Sequence, residues 1–169
     1  MASSAAVLKT ILSLRILTLL ALAASVVIMA LNNYTDEDAT KTKFTDVIAF
    51  RYVFACGAIG FLYTIFQIPF AIYNVVQEKR WIRNGCLQEF DFYGDKVVAF
   101  LLASGVGVGF GVTFEFKRTF GELLGDKDLK FLNMGTVSTG LLLAGFVFMA
   151  LLTVFSSNRR ASSSKKGFF

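Results

Sequence analysis

Two residues of this 169-residue chain stand where charge is costly: Arg15, inside the apolar run 11–31, and Asp95, at the head of the run 94–114. An ionisable group in such a run needs a partner, water or a route to the headgroups, so it marks a functional or structural site. A guanidinium and a carboxylate can answer one another as a bidentate pair, or they can line a pathway for ions or solutes. Asp95 also reads at first as a candidate acid, but the groups that would work with one are missing. The chain has no histidine for general-base or metal chemistry. Its 2 cysteines are Cys56, within an apolar run, and Cys86, in a polar connection, so a disulfide is not expected. Cys86, close to Trp81, is a candidate palmitoylation site. These residue types point away from an enzyme, a cofactor or a metal.

The elements that must position the two charges follow from hydropathy. The sequence is 55% hydrophobic and 17% charged, against about 25% charged in a soluble domain. The charges gather between apolar runs long enough to cross a hydrocarbon core about 30 Å thick. The expected fold is an all-α membrane protein, a four-transmembrane-helix bundle with cytoplasmic N- and C-termini. Residues 1–10 form the cytoplasmic N-terminus, and 11–155 the membrane domain, with helices at 11–31, 47–76, 94–114 and 134–155. Residues 156–169 form a basic, serine-rich cytoplasmic tail expected to be disordered. A cleaved signal peptide is the rival reading of the first run, since Ala21 and Ala23 make a small-x-small pair. The length of the run and the arginine within it favour an uncleaved helix. In the second run Pro69 removes a backbone donor and predicts a bend over 65–69, while Arg51 is placed to snorkel from the first turn.

Orientation comes from the lysines and arginines near the helix ends. One side holds Lys9, Lys79, Arg80, Arg83, Arg159, Arg160, Lys165 and Lys166. The other holds Lys41, Lys43, Lys117, Arg118, Lys127 and Lys130. The bias puts both termini in the cytoplasm, and the acidic Asp36-Glu37-Asp38 outside. The only N-glycosylation acceptor, Asn33 in Asn33-Tyr34-Thr35, also falls outside. The net charge of +5 owes much to the tail. A basic tail at the end of a span reads as an orientation signal and a contact for anionic lipids, not as a nucleic-acid site.

In this topology the first and third helices run the same way, so Arg15 and Asp95 fall at similar depth in one leaflet. A salt bridge between them is expected; the alternative is that each reaches the headgroups separately. The third run also carries Gly105, Gly107, Gly109 and Gly111. Each glycine lowers helix propensity by about 1 kcal/mol relative to alanine, and in membranes small residues allow close helix approach. Gly105/Gly109 and Gly107/Gly111 are four-residue spacings on different faces, suited to packing within the bundle or against a second protomer.

Arg15 within LRILTLL, Asp95 at the head of the third helix and the stretch FRYVFACGAIGFLYTIFQ from Phe50 together resemble the plant CASP-like family. These are four-span relatives of the Casparian strip membrane domain proteins, similar in plan to MARVEL domains. The resemblance covers roughly 14–157, and Tyr52, Tyr63 and Gln67 match the family's second helix. It implies that Arg15 and Asp95 are the family's hallmark pair. It further implies a plasma-membrane protein without known enzymatic activity that forms a homodimer or higher homo-oligomer and hetero-oligomers with paralogues. Strip-forming members recruit peroxidases and other wall-modifying enzymes and carry an extended stretch in the first outer loop; residues 32–46 here do not contain it. The leading expectation is a scaffold that organises a membrane subdomain, in contact with membrane lipids. The alternative is a small oligomeric channel or transporter using Arg15 and Asp95. Tetraspanins and claudins are disfavoured, because neither outer loop has a cysteine.

Overall fold

The computed structural model describes residues 4–35, 41–76, 85–120 and 125–166, without side chains at 4–5, 34–35, 41, 73–76, 85–91 and 158–166. Four helices account for most of it: α1 (Ser4–Ala30), α2 (Ile48–Val76), α3 (Gly85–Phe120) and α4 (Asp126–Lys166). Each contains a segment long and apolar enough to cross a membrane. Between α1 and α2 the chain forms a small hairpin, β1 (Asn33–Thr35) and β2 (Lys41–Lys43). The strands are antiparallel, with Asn33 opposite Lys43. A 3-10 turn at Phe44–Asp46 leads into α2.

The helices run past the apolar stretches that reveal them. α3 begins at Gly85, so the polar segment before Asp95 is partly helical rather than wholly a loop. α4 begins at Asp126 and continues to Lys166, so 156–166 are helical where a disordered tail was expected. Hydropathy marks the edge of the bilayer, but a helix can run on past that edge where polar residues with good helix propensity follow. No glycine or proline separates Gly145 from Gly167, so no breaker stops the helix at the membrane edge. At the other end, Asp126 and Asp128 occupy the first turn of α4, where carboxylates are favoured by the helix dipole. α1 starts at Ser4, which brings most of the expected N-terminal segment into the helix. Pro69 lies on the outer side of an unbroken α2.

The four helices form a ring. α1 packs against α2 and α4, and α3 packs against α2 and α4, which leaves α1 and α3 facing each other across the bundle. Buried positions recur at alternating spacings of three and four. On α1 they are Arg15, Thr18, Leu22, Ser25 and Met29, and on α2 Val53, Gly57, Gly60, Thr64 and Gln67. The same spacing on α4 gives Gly135, Ser138, Leu142, Gly145, Met149 and Leu152. A sustained period of 3.5 is that of helices wound around one another in a left-handed sense. The outward faces are as apolar as the inward ones: Leu20, Phe66 and Phe100 are all exposed, as suits helices surrounded by lipid. Inside, large meets small. A Cβ on Gly60 would lie 3.0 Å from Leu102 and 3.1 Å from Leu22, and one on Gly145 would lie 2.7 Å from Leu22.

Buried hydroxyls are satisfied without water. Thr18, Thr64, Thr113 and Thr139 each donate to the carbonyl four residues back. Ser25 on α1 and Ser138 on α4 each donate to the other's backbone carbonyl at 2.8 Å, which ties the last part of the α1 span to the first half of the α4 span. Nearer the hairpin, Asn32 Nδ2 donates to the Phe131 carbonyl at 3.1 Å. Arg51 is exposed and its Nε donates to the Thr45 carbonyl.

The glycines of α3 divide into two pairs. A Cβ on Gly105 would lie 3.0 Å from the Cβ of Cys56, and one on Gly109 would press on Thr139 and lie 3.0 Å from Val53. Gly107 and Gly111 have nothing within 4 Å and face outward. Gly109→Leu should therefore destabilise the bundle by about 1–3 kcal/mol, the usual range for overpacking, and Gly111→Leu should not. Thermal unfolding in mild detergent separates the two; equal losses would contradict the division.

Candidate functional site

Each charge comes from a helix that packs beside α2 and α4 and lies across the bundle from the other. Arg15 lies well inside the Ala6–Ala30 span of α1, and Asp95 near the start of the Phe92–Phe120 span of α3. Both point to the bundle centre, with only 4% of Arg15 and 1% of Asp95 exposed. There they meet in a forked geometry: Nη2 to Oδ2 at 3.2 Å and Nη1 to Oδ1 at 3.4 Å. Neither side chain reaches out to the headgroups separately. The pair crosses the diagonal of the ring, so it ties together the two helices that do not pack side by side.

α2 supplies the next part of the network. The Tyr63 hydroxyl donates to Asp95 Oδ1 at 2.8 Å, and Gln67 Nε2 donates to the Tyr63 oxygen at 2.9 Å. Tyr63 and Gln67 are one turn apart on the inner side of α2, and Gln67 is buried. The carboxylate thus receives two guanidinium N–H groups and a phenol, drawn from α1 and α2. Gly94 completes the fit: a Cβ there would lie 2.5 Å from the Tyr63 oxygen. The glycine before the aspartate is therefore a clearance for the tyrosine. At the rim, Lys96 Nζ sits 4.0 Å from the centre of the Phe92 ring, an interfacial cation–π contact.

Chemically this is a closed site. Asp95 is engaged by Arg15 and Tyr63, and among the described residues there is no group of side chains suited to a metal ion. What the arrangement does is hold three helices in register. Removing a partner from a buried pair leaves an uncompensated charge, which is destabilising by about 3–5 kcal/mol.

The other sequence-derived positions lie apart from this network. Asn33 is exposed on β1. Cys56 is free and buried against Gly105. Cys86 lies in the first turn of α3 with its side chain outside the described part. Lys79, Arg80, Trp81, Arg83 and the acidic run 36–38 lie outside the described residues. Sequence reasoning missed the work of Gly94, Tyr63 and Gln67 in the network. A signal was present: Tyr63 and Gln67 are polar groups one turn apart in the last half of α2, the half that returns to the leaflet of Arg15 and Asp95.

Residues 4–148 match the model of the Casparian strip membrane protein domain. The chain belongs to the CASP-like family. Among its relatives, the CASP-like protein 4D1 of Ricinus communis is 44% identical over 147 residues, covering 85% of this chain and 86% of that protein. The 4D1 protein of Populus trichocarpa is 43% identical, covering 88% and 84% of the two chains. The CASP-like protein 4D2 of Arabidopsis thaliana is 37% identical, covering 87% of each. No solved structure matches the chain. The CASP-like match spans all of α1, α2 and α3 and most of the α4 span, so it includes every member of the buried network.

Charge exchange tests the network. Arg15→Asp and Asp95→Arg should each sharply reduce folded protein in the membrane, and the double exchange should recover part of it. Recovery should be incomplete, because Tyr63 would then face a guanidinium in place of a carboxylate. Size-exclusion profiles of the detergent-extracted variants give the comparison. A double exchange no better than either single change would contradict the pairing.

Proposed function

We propose that this CASP-like protein is a plasma-membrane scaffold that self-associates, organises a membrane subdomain and recruits cell-wall-modifying proteins. Both termini lie in the cytoplasm, Asn33 is open to glycosylation outside, and Cys86 is on the side where palmitoylation occurs. The observation that carries the reading is the division of the α3 glycines. Gly105 and Gly109 are used within the bundle, whereas Gly107 and Gly111 leave open space on the lipid side. Glycine lowers helix stability, and in a span its compensation is the close approach of another helix. No helix of the same chain makes that approach at Gly107 or Gly111. On the same outward stripe lie Val97, Phe100, Ser104 and Phe114, at the spacings of a helix–helix seam. The partner for that seam is a second copy of this chain or of a paralogue.

The alternative, a channel with Arg15 and Asp95 as pathway charges, has less support. Both groups are buried and directed at one another, so neither is available to a passing ion without breaking the pair.

Gly107→Leu/Gly111→Leu should fold as the parent does and lose self-association. Stepwise photobleaching of the labelled protein in native-membrane nanodiscs should change from multiple steps to a single step. Unchanged step counts would overturn the assignment of this face.

A further inference from the structure

At the end of the bundle where α1 finishes and α4 begins lies a groove of about 480 Å³. Ile28, Met134 and Val137 supply its apolar wall, and Asn133, Lys130 and Asp126 its polar one. Asp126, Lys130, Asn133 and Val137 follow one another at helical spacing along one face of α4, and all four are exposed. At 1.5 Å per residue that face descends about 16 Å. This is enough to pass from the headgroup layer into the acyl chains. Polarity changes in a fixed order along it: a carboxylate outermost, an ammonium one turn deeper, a carboxamide next, then hydrocarbon. Among the described residues neither Asp126 nor Lys130 is engaged in an ion pair. The Asn133 carboxamide oxygen accepts from Lys117 Nζ at 2.7 Å, which brings a second cation to that depth and leaves the amide N–H groups as donors.

We propose that this groove binds a phospholipid whose headgroup carries a primary ammonium, of the phosphatidylethanolamine type. Read from water inward, such a lipid presents an ammonium, a phosphate, glycerol esters and acyl chains. That order matches Asp126, Lys130, Asn133 with its neighbour Lys117, and the apolar wall of Ile28, Met134 and Val137. The ammonium donates N–H hydrogen bonds to the Asp126 carboxylate, and the phosphate accepts from the cations, both charge-assisted contacts. A choline headgroup has no N–H to offer Asp126. A glycerol headgroup brings a phosphate without the cation that the carboxylate requires. The groove therefore distinguishes headgroups that share the same phosphate, and it lies on a different face of the molecule from Gly107 and Gly111.

The test uses the full chain in nanodiscs holding equal parts phosphatidylethanolamine, phosphatidylcholine and phosphatidylglycerol with matched acyl chains. Lipids retained on release are identified by native mass spectrometry. The parent protein should retain phosphatidylethanolamine severalfold over the other two. Asp126→Asn should abolish the preference over phosphatidylcholine while phospholipid is still retained. Lys130→Gln should lower retention of all classes severalfold, and Lys127→Gln, outside the groove, should change nothing. These are exposed positions, and circular dichroism of each variant confirms that the helices persist. Equal retention of the three lipids by the parent, a preference for phosphatidylglycerol, or retention indifferent to Asp126→Asn would each overturn the proposal. So would a loss of dimers in the Asp126 and Lys130 variants with lipid retention unchanged, since a second copy would then be the occupant.

Discussion

The ion pair of Arg15 with Asp95, buried at the centre of the bundle, is the interaction on which the register of α1, α2 and α3 depends. An arginine alone at a helix centre is unfavourable by about 3 kcal/mol on insertion scales. An unpaired buried carboxylate is no better placed. Here the two groups remove each other's problem, and they do it across the diagonal of the ring, at 3.2 Å. A pair between neighbouring helices would fix one interface. A pair across the diagonal sets the relative height of α1 and α3, and Tyr63 brings α2 into the same register. α4 is joined by other means, the reciprocal serine contact with α1 and the seat that Gly109 offers Thr139.

Around that constraint, helix association depends on shape. Lipid is as apolar as leucine, so burying leucine against leucine gains little from exclusion of water, and close packing takes over. The interior accordingly alternates bulk with clearance: Leu22 fits against Gly60 and Gly145, Phe50 against Gly135, and the Tyr63 hydroxyl against Gly94. Each fully buried glycine of the described spans has an identifiable occupant, whereas Gly107 and Gly111 on α3, both exposed, and the half-buried Gly140 on α4 have none. The two on α3 fall on one exposed stripe, and there they point to a contact made outside the single chain.

Much of this was legible in the sequence. The four spans follow from the apolar runs, and the shared depth of Arg15 and Asp95 follows from counting crossings. Helix ends were not legible from hydropathy, because Cys86 to Tyr93 and the segment beyond Ser157 contain polar residues that a helix outside the bilayer tolerates well. The inward face was also hidden. When lipid surrounds a helix, both faces are apolar and the contrast that reveals an amphipathic helix disappears. The surviving signal was the spacing of small and polar residues, as in Arg15, Thr18, Leu22, Ser25 and Met29. Tyr63 and Gln67 could have been assigned by the depth argument that placed Arg15 and Asp95, since the chain turns back through α2. Nothing in the spacing alone told that Gly94 serves a tyrosine from another helix.

The central claim is that Arg15 and Asp95 meet inside the bundle and do not reach the headgroups apart. Magic-angle-spinning NMR of the protein in phospholipid bilayers, with labelled arginine and aspartate, measures this directly. A strong dipolar contact between the Arg15 guanidinium nitrogens and the Asp95 carboxyl carbon, with no coupling of Arg15 to lipid phosphorus, is the result the structure requires. Arg15 coupled to phosphorus, with no contact to Asp95, would contradict it.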